Sequence, residues 1–185
     1  MDEKRRNVLI TEDEISKRVK ELGAEIAKEY KGKKLYVLSL LRGSFIYTAD
    51  LVRAIDIEAK IGFMTTSSYG AEEESSGVVK IVEDIPDNIE GYDVLIVDDI
   101  MDTGITMDFV IKHVKGLNAA TVKCSVLLNK AERRLVALKP DFCCFDIEDV
   151  FVVGYGLNYG DYYRNVPYVF NWKDWFNVSK KILTS

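Results

Sequence analysis

The chain has 185 residues, 48% of them apolar, and a formal net charge of −5 from 25 basic and 30 acidic side chains. That is enough material for one sizeable core with no Pro/Ser-rich linker to divide it, so residues 1–185 are read as a single domain. The acidic balance argues against nucleic-acid binding, and no apolar run approaches the roughly 20 residues that span a bilayer, which points to a cytoplasmic protein.

Thr11 followed by Glu14 forms a capping box, and Ile15, Val19, Leu22, Ile26 and Tyr30 recur at helical spacing. A first helix is expected to about Lys31, closed by Gly32. LYVLSLL (35–41) is a continuous apolar run, as a strand buried on both faces of a parallel sheet requires. Arg42, Gly43 and Ser44 then turn the chain into a second helix ending near Ala54. Ile57–Thr66 and Val78–Val82 alternate as strands. The polar, glycine-framed stretch SSYGAEEESSG between them is assigned to a mobile loop. VLIVDD is the next strand, Thr106–Lys115 a helix stopped by Gly116, and Val122–Asn129 another buried strand. FCCF and FVVGYG add short late strands, and the tail from Tyr162 to Ser185 reads as aromatic and irregular. This alternation argues for an α/β fold with a mostly parallel sheet. Cys124, Cys143 and Cys144 are odd in number, lack paired metal-type spacing and fall in apolar segments, so they are expected to pack as small hydrophobes. His113, the single histidine, lies in a helical pattern with no cluster to join, which favours a packing or surface role.

The stretch VLIVDDIMDTGIT (94–106) carries the chemistry. Ligands of open parallel sheets bind at the carboxyl ends of strands, where Asp98 and Asp99 fall. Consecutive strand residues point to opposite faces, so the two acids cannot both turn into one core. Like charges about 5 Å apart repel by roughly 3 kcal/mol at an effective dielectric near 20, so something positive or much water has to offset them. Thr103, Gly104, Ile105 and Thr106 then lead into a helix, whose first N–H groups and dipole favour an anion, with Gly104 allowing close approach. An acidic pair beside a phosphate cradle suits a ligand carrying a polyol and phosphate, with a divalent metal on its pyrophosphate. A phosphoacceptor receiver domain would open with its acidic strand, whereas here more than ninety residues precede it. A nucleotide hydrolase would need a G-x-x-x-x-G-K-[ST] loop, which is absent.

VLIVDDIMDTGIT resembles the phosphoribosyl pyrophosphate motif of type I phosphoribosyltransferases. SLLRGSF (39–45), SSYG (67–70), SSGVVKI (75–81), LLNKAERR (127–134) and PDFCCFDIEDVFVVGYGLNYGDYYRNVPY (140–168) narrow the resemblance to the hypoxanthine-guanine branch. The resemblance implies a central, mostly parallel sheet flanked by helices, with a small hood and a mobile loop. It implies Mg²⁺-dependent transfer of ribose 5-phosphate from phosphoribosyl pyrophosphate to N9 of a 6-oxopurine, by a homodimer or homotetramer that binds neither nucleic acid nor membrane. On this reading Asp98 and Asp99 hold the ribose hydroxyls and, through metal or water, the cation. Asp102 is the general base near purine N7, and Thr103, Gly104 and Thr106 grip the 5-phosphate. Arg42 and Gly43, after an expected cis peptide, and Arg164 bind pyrophosphate. Lys130 donates to purine O6, Phe151 stacks on the base, and Val152 reads its edge through backbone groups. Ser68 and Tyr69 belong to the loop that closes over the reacting centre and excludes water.

Three positions depart from the family pattern. The acidic pair is Asp98-Asp99 where Glu-Asp is usual. Asn129 and Ala131 stand where Asp and Pro are usual, which is expected to loosen the base loop. Asn158 replaces an Asp near the second metal, and an amide cannot supply the same charge to hydrated Mg²⁺. Xanthine or another purine as acceptor, and a non-catalytic module that senses the donor, stay open as alternatives.

Overall fold

The computed structural model describes residues 7–68 and 79–172. Tyr69 and the acidic part of the expected mobile loop lie outside the described residues, as does the chain from 173 onward. Nine strands and three α-helices are described: β1 (Val8–Ile10), α1 (Glu12–Glu29), β2 (Leu35–Leu41), α2 (Phe45–Ala54), β3 (Ala59–Ser68), β4 (Val79–Glu83), β5 (Asp93–Met101), α3 (Ile105–Gly116), β6 (Thr121–Asn129), β7 (Phe142–Asp146), β8 (Val152–Val153) and β9 (Val169–Asn171). A short 3-10 turn follows β6 at Ala131–Arg133.

Six strands form one sheet in the order β4-β3-β2-β5-β6-β7. All neighbours are parallel except β4, which runs antiparallel to β3. The chain leaves β2 toward β3 on one side, then crosses back to lay β5 on the other. The crevice beyond the carboxyl ends of β2 and β5 is therefore the switch point of the sheet, where loops diverge and leave room for a ligand.

Both faces of the sheet are covered, which is why β2 reads as a nearly continuous apolar run and β6 is buried from Cys124 to its end. Leu35, Val37, Leu95, Val97 and Leu127 pack with Ile15, Val19, Leu22, Ile26, Tyr47 and Leu51 of α1 and α2. Tyr36, Leu38, Leu40, Val94, Ile96 and Val126 pack on the opposite face with Met107, Val110 and Val114 of α3. The Thr11–Glu14 capping box forms as expected, each partner bonding the other's backbone N–H. No helix among the described residues is long and apolar enough to cross a membrane.

The remaining strands form a three-stranded antiparallel sheet, β1-β9-β8, which is the hood. Two of its strands correct the sequence reading. Residues 8–10 carry no strand expectation, and the tail read as irregular contributes β9; each has only three residues, with Val8 facing Phe170 and Ile10 facing Val169, and β9 also pairs with β8. FVVGYG gives only the two residues of β8, because Gly154, Tyr155 and Gly156 all take positive φ and turn the chain. Gly116 ends inside α3 and does not stop it; the left-handed exit falls at Asn118, φ 59°.

Candidate active site

The crevice is built from the loop after β2, the end of β5, the start of α3, the end of β6 and the 154–164 segment. The Leu41–Arg42 peptide bond is cis, as expected. Behind it, a chain of buried hydroxyls ties the loop down: Ser39 Oγ lies 2.8 Å from both Ser44 Oγ and Thr48 Oγ1, and Ser44 Oγ donates to Leu40 O at 2.6 Å. Ser44 also begins α2, so the loop, the strand and the helix form one fixed unit. Arg42 is left exposed at its tip.

Gly43 is a glycine because of Asp99. A Cβ there would overlap the Asp99 carboxylate, so the loop backbone touches the acid directly. On its other side, the Gly43 carbonyl packs against Gly156, where a Cβ would equally collide. Arg164 Nη1 donates to the Gly156 carbonyl at 2.6 Å, which closes the ring of Arg42, Gly43, Asp99, Gly156 and Arg164 around one corner of the crevice.

Asp98 and Asp99 are the sixth and seventh of the nine residues of β5, which continues to Met101. Strand alternation points them apart, yet the charge of Asp99 still acts on Asp98. The local reason is that each bends back on the chain: Asp98 Oδ1 accepts Asp99 N–H and Asp99 Oδ1 accepts Ile100 N–H, both at 2.9 Å. Desolvation, and then the neighbouring Asp99 charge, hold Asp98 well above the usual carboxylate range. Asp99 is also pushed up by desolvation, moderated by its hydrogen bonds and the Arg164 guanidinium. Such a pair holds a proton readily and gives it up when a cation arrives.

Gly104 takes φ 83° as the N-cap of α3 and offers no side chain to cap it, so the first-turn N–H groups beyond Ile105 are available to an anion. Thr103 Oγ1 accepts Ile105 N–H at 3.4 Å, and Thr103 O accepts Leu135 N–H at 2.9 Å, which braces the loop from below.

Lys130 follows β6 and is 6% exposed, with its backbone N–H bonded to Met101 O at 3.0 Å. Its Nζ lies 3.6 Å from Asp149 Oδ1. Arg133 spans the gap to the third acid, with Nε 3.1 Å from Asp102 Oδ1 and Nη1 3.6 Å from Asp149. Asp102, Arg133, Asp149 and Lys130 thus alternate in charge along one wall. Asp102 Oδ1 is buried and has no hydrogen-bond partner, because Arg133 approaches it without aligning an N–H.

Asn129 is held from both sides at the end of β6. Its Nδ2 donates to Asp146 Oδ1 at 2.7 Å while its Oδ1 accepts from Arg134, whose guanidinium packs beneath Gly104. An amide bridges an acid and a guanidinium; a carboxylate here would face Asp146 as a like charge. Phe151 is 44% exposed and meets Tyr159 in a T-shaped contact at 6.0 Å, and Tyr159 stacks on Trp172 at 4.0 Å, so an exposed ring sits on an aromatic support. Val152 is buried in β8, paired with Asn171. Asn158 Nδ2 donates to Gly160 O at 2.5 Å, pinning its own loop. Ser68 ends β3.

The crevice therefore gathers Arg42, Gly43, Asp98, Asp99, Asp102, Thr103, Gly104, Thr106, Lys130 and Arg164 around the switch point. Arg133, Arg134, Asp149 and Gly156 escape a reading of the sequence, although all lie inside quoted motifs; their partners are remote in the chain.

A family model described as "Phosphoribosyl transferase domain" matches residues 10–160. The hypoxanthine-guanine phosphoribosyltransferase of Bacillus subtilis (strain 168) is 43% identical over 162 residues, which is 88% of this chain and 90% of that protein. The crystal structure of a hypoxanthine phosphoribosyltransferase from Staphylococcus aureus aligns with a TM-score of 0.86 at 39% identity, covering 89% of this chain and 90% of the other. A Trypanosoma cruzi hypoxanthine phosphoribosyltransferase variant, solved as a ternary substrates complex, gives 0.83 at 40% identity, covering 89% and 93%.

Proposed function

The chain belongs to the phosphoribosyltransferase family and matches its hypoxanthine-guanine members along most of its length, and from that premise we propose that it is a purine-salvage enzyme transferring ribose 5-phosphate to hypoxanthine or guanine. Its sheet and hood are the type I phosphoribosyltransferase fold. The observation that carries the proposal is the contact of Gly43 with Asp99 at the switch point, which brings a cation-bearing loop, an acidic pair and an uncapped helix start to one place.

In this reading the donor's 5-phosphate sits on the Thr103–Thr106 backbone, its ribose hydroxyls on Asp98 and Asp99, and its pyrophosphate between Arg42, Gly43 and Arg164. The purine stacks on the exposed ring of Phe151, with Lys130 at O6 and Val152 backbone at its edge. As the ribosyl–oxygen bond breaks, N9 forms the new bond, pyrophosphate leaves, and the N7 proton passes to Asp102. For Asp102 to receive it, Arg133 turns to its second partner, Asp149. Lys130 balances the charge that grows on O6. Ser68, at the end of β3, and Tyr69 are assigned by the family resemblance to the loop that closes over this centre.

Among the described residues no cluster of three His, Cys, Asp or Glu could hold a metal by itself. The acidic pair instead fits Mg²⁺ that arrives on the donor's oxygens and keeps most of its water, held through Asp98 and Asp99 with Asn158 in a lesser, indirect role. Bound there, the ion would neutralise pyrophosphate charge. Homodimer or homotetramer assembly is part of the same proposal.

The test is a spectrophotometric assay with phosphoribosyl pyrophosphate and Mg²⁺, offering hypoxanthine, guanine, xanthine and adenine separately, with Asp102→Asn as control. Turnover of hypoxanthine and guanine that collapses in the variant is expected. Turnover of xanthine alone would move the acceptor assignment, and donor binding without any turnover would favour a sensor.

A further inference from the structure

One part-buried side-chain pair lies outside the crevice and yet joins two of its walls. Gly154, Tyr155 and Gly156 have φ of 105°, 49° and 101°. Glycine adopts such values freely, whereas tyrosine rarely does, so the middle position retains its side chain against a backbone preference. That side chain is 6% exposed, and its hydroxyl donates to Asp50 Oδ2 of α2 at 2.5 Å. Asp50 is in turn paired with Arg53 one turn on. Burial first, and then the Asp50 carboxylate, push the phenol above its ordinary range, so it stays a donor at any working pH.

The pair completes a closed path. α2 begins directly after Arg42 and Gly43. The Gly43 carbonyl rests on Gly156. Gly156 N–H donates to Arg164 O at 2.9 Å, and Arg164 Nη1 returns to Gly156 O at 2.6 Å. From Gly156 the path runs through Tyr155 to Asp50 and back into α2. The phenol adds a side-chain hydrogen bond to α2 beside the backbone contact of Gly156 with Gly43. Asp50, Arg53, Tyr155 and Arg164 line a groove of about 510 Å³ against α1, which does not include Asp98, Asp99 or Asp102. The pair can therefore be altered without touching the acids of the crevice.

We propose that Tyr155 and Asp50 are positioning residues for the donor's pyrophosphate: their hydrogen bond sets Gly156 and Arg164 against the Arg42-Gly43 loop. The inference rests on the phosphoribosyltransferase reading and assigns to it a support that acts on one substrate and not the other. The purine wall, formed by Lys130 and Phe151, is held by β6 and by the aromatic stack instead.

Four variants test it in the full chain: Tyr155→Phe, Asp50→Leu, the two combined, and Asp50→Asn, which keeps an acceptor for the phenol. Donor affinity is measured by calorimetric titration with phosphoribosyl pyrophosphate and Mg²⁺, and KM for donor and base by initial rates. Tyr155→Phe and Asp50→Leu should each weaken donor binding roughly tenfold, with KM for the base within twofold of wild type. The double variant should be no worse than either single one, and Asp50→Asn should recover most of the loss. Wild-type donor affinity in Tyr155→Phe, or donor and base constants rising together, would overturn the proposal. If Asp50→Leu fails to fold, Tyr155→Phe and Asp50→Asn decide alone. Because titration does not depend on turnover, an inactive wild type that still binds donor would refute the enzymatic reading while leaving the positioning role measurable.

Discussion

Gly43→Ala places one methyl group in the tightest contact of the crevice. The added Cβ would fall on Asp99 Oδ2, with Cγ at 2.6 Å and Oδ1 at 3.1 Å. Asp99 cannot simply rotate away, because Oδ1 is held by Ile100 N–H at 2.9 Å. Nor can the loop retreat, since the Gly43 carbonyl already abuts Gly156 and Ser44 is locked to Leu40 O at 2.6 Å. Inserting a carbon where neighbours cannot yield costs about 1–3 kcal/mol. If relief comes by displacing the loop from Asp99, that energy is lost from donor binding, and kcat/KM for phosphoribosyl pyrophosphate falls by about 5- to 160-fold at 1.36 kcal/mol per decade. Initial rates against donor at saturating hypoxanthine measure it, with thermal unfolding alongside. Gly116→Ala is the comparator: nothing lies within 4 Å of its Cβ, so activity should be unchanged and stability higher by up to about 1 kcal/mol. A Gly43→Ala enzyme within twofold of wild type for the donor would refute the contact argument.

Asp98 yields a stability prediction for the protein without ligands. Its folded-state pKa is raised, so its contribution is complete below the ordinary carboxylate value of about 3.9 and is lost as pH rises through the raised value. Asp98→Asn should therefore be inactive yet more stable at neutral pH, by up to about 3 kcal/mol, the repulsion of two charges about 5 Å apart. Equal melting curves for variant and wild type across pH 4–8 would contradict it. Burial pushes Cys124 and Cys143 up to about 12 and Cys144 to about 11, so a thiol reagent at pH 8 should label the native protein at least about 100-fold more slowly than the denatured chain. Complete native labelling within the mixing time would show that these thiols are not packed. Asn158→Asp loses the bond to Gly160 O and adds a charge beside the crevice. It is expected to lower the Mg²⁺ concentration for half-maximal rate and to alter the guanine-to-hypoxanthine ratio, and unchanged values of both would count against any role for this residue at the metal.

What could be read from the chain alone is what neighbours in sequence settle between themselves. Thr11 and Glu14 cap α1 because they are three residues apart. The apolar runs of β2 and β6 announce strands covered on both faces. Asp98 through Thr106 specify a strand end, a turn and a helix start within thirteen residues of Val94, which made that part of the site legible at once. The tertiary structure decided which of these pieces meet. Strand order puts β5 beside β2, and only then does Gly43 touch Asp99 and Gly156 close over Gly43. β1 is a strand because β9 supplies its hydrogen bonds, β9 because it lies between β1 and β8, and Asn129 became a brace only once Arg134 and Asp146 lay on either side of it. Local propensity and periodicity fix conformation and face over a few residues, but a contact between distant residues depends on how the whole core is buried, and that cooperative choice leaves no local signal in the chain.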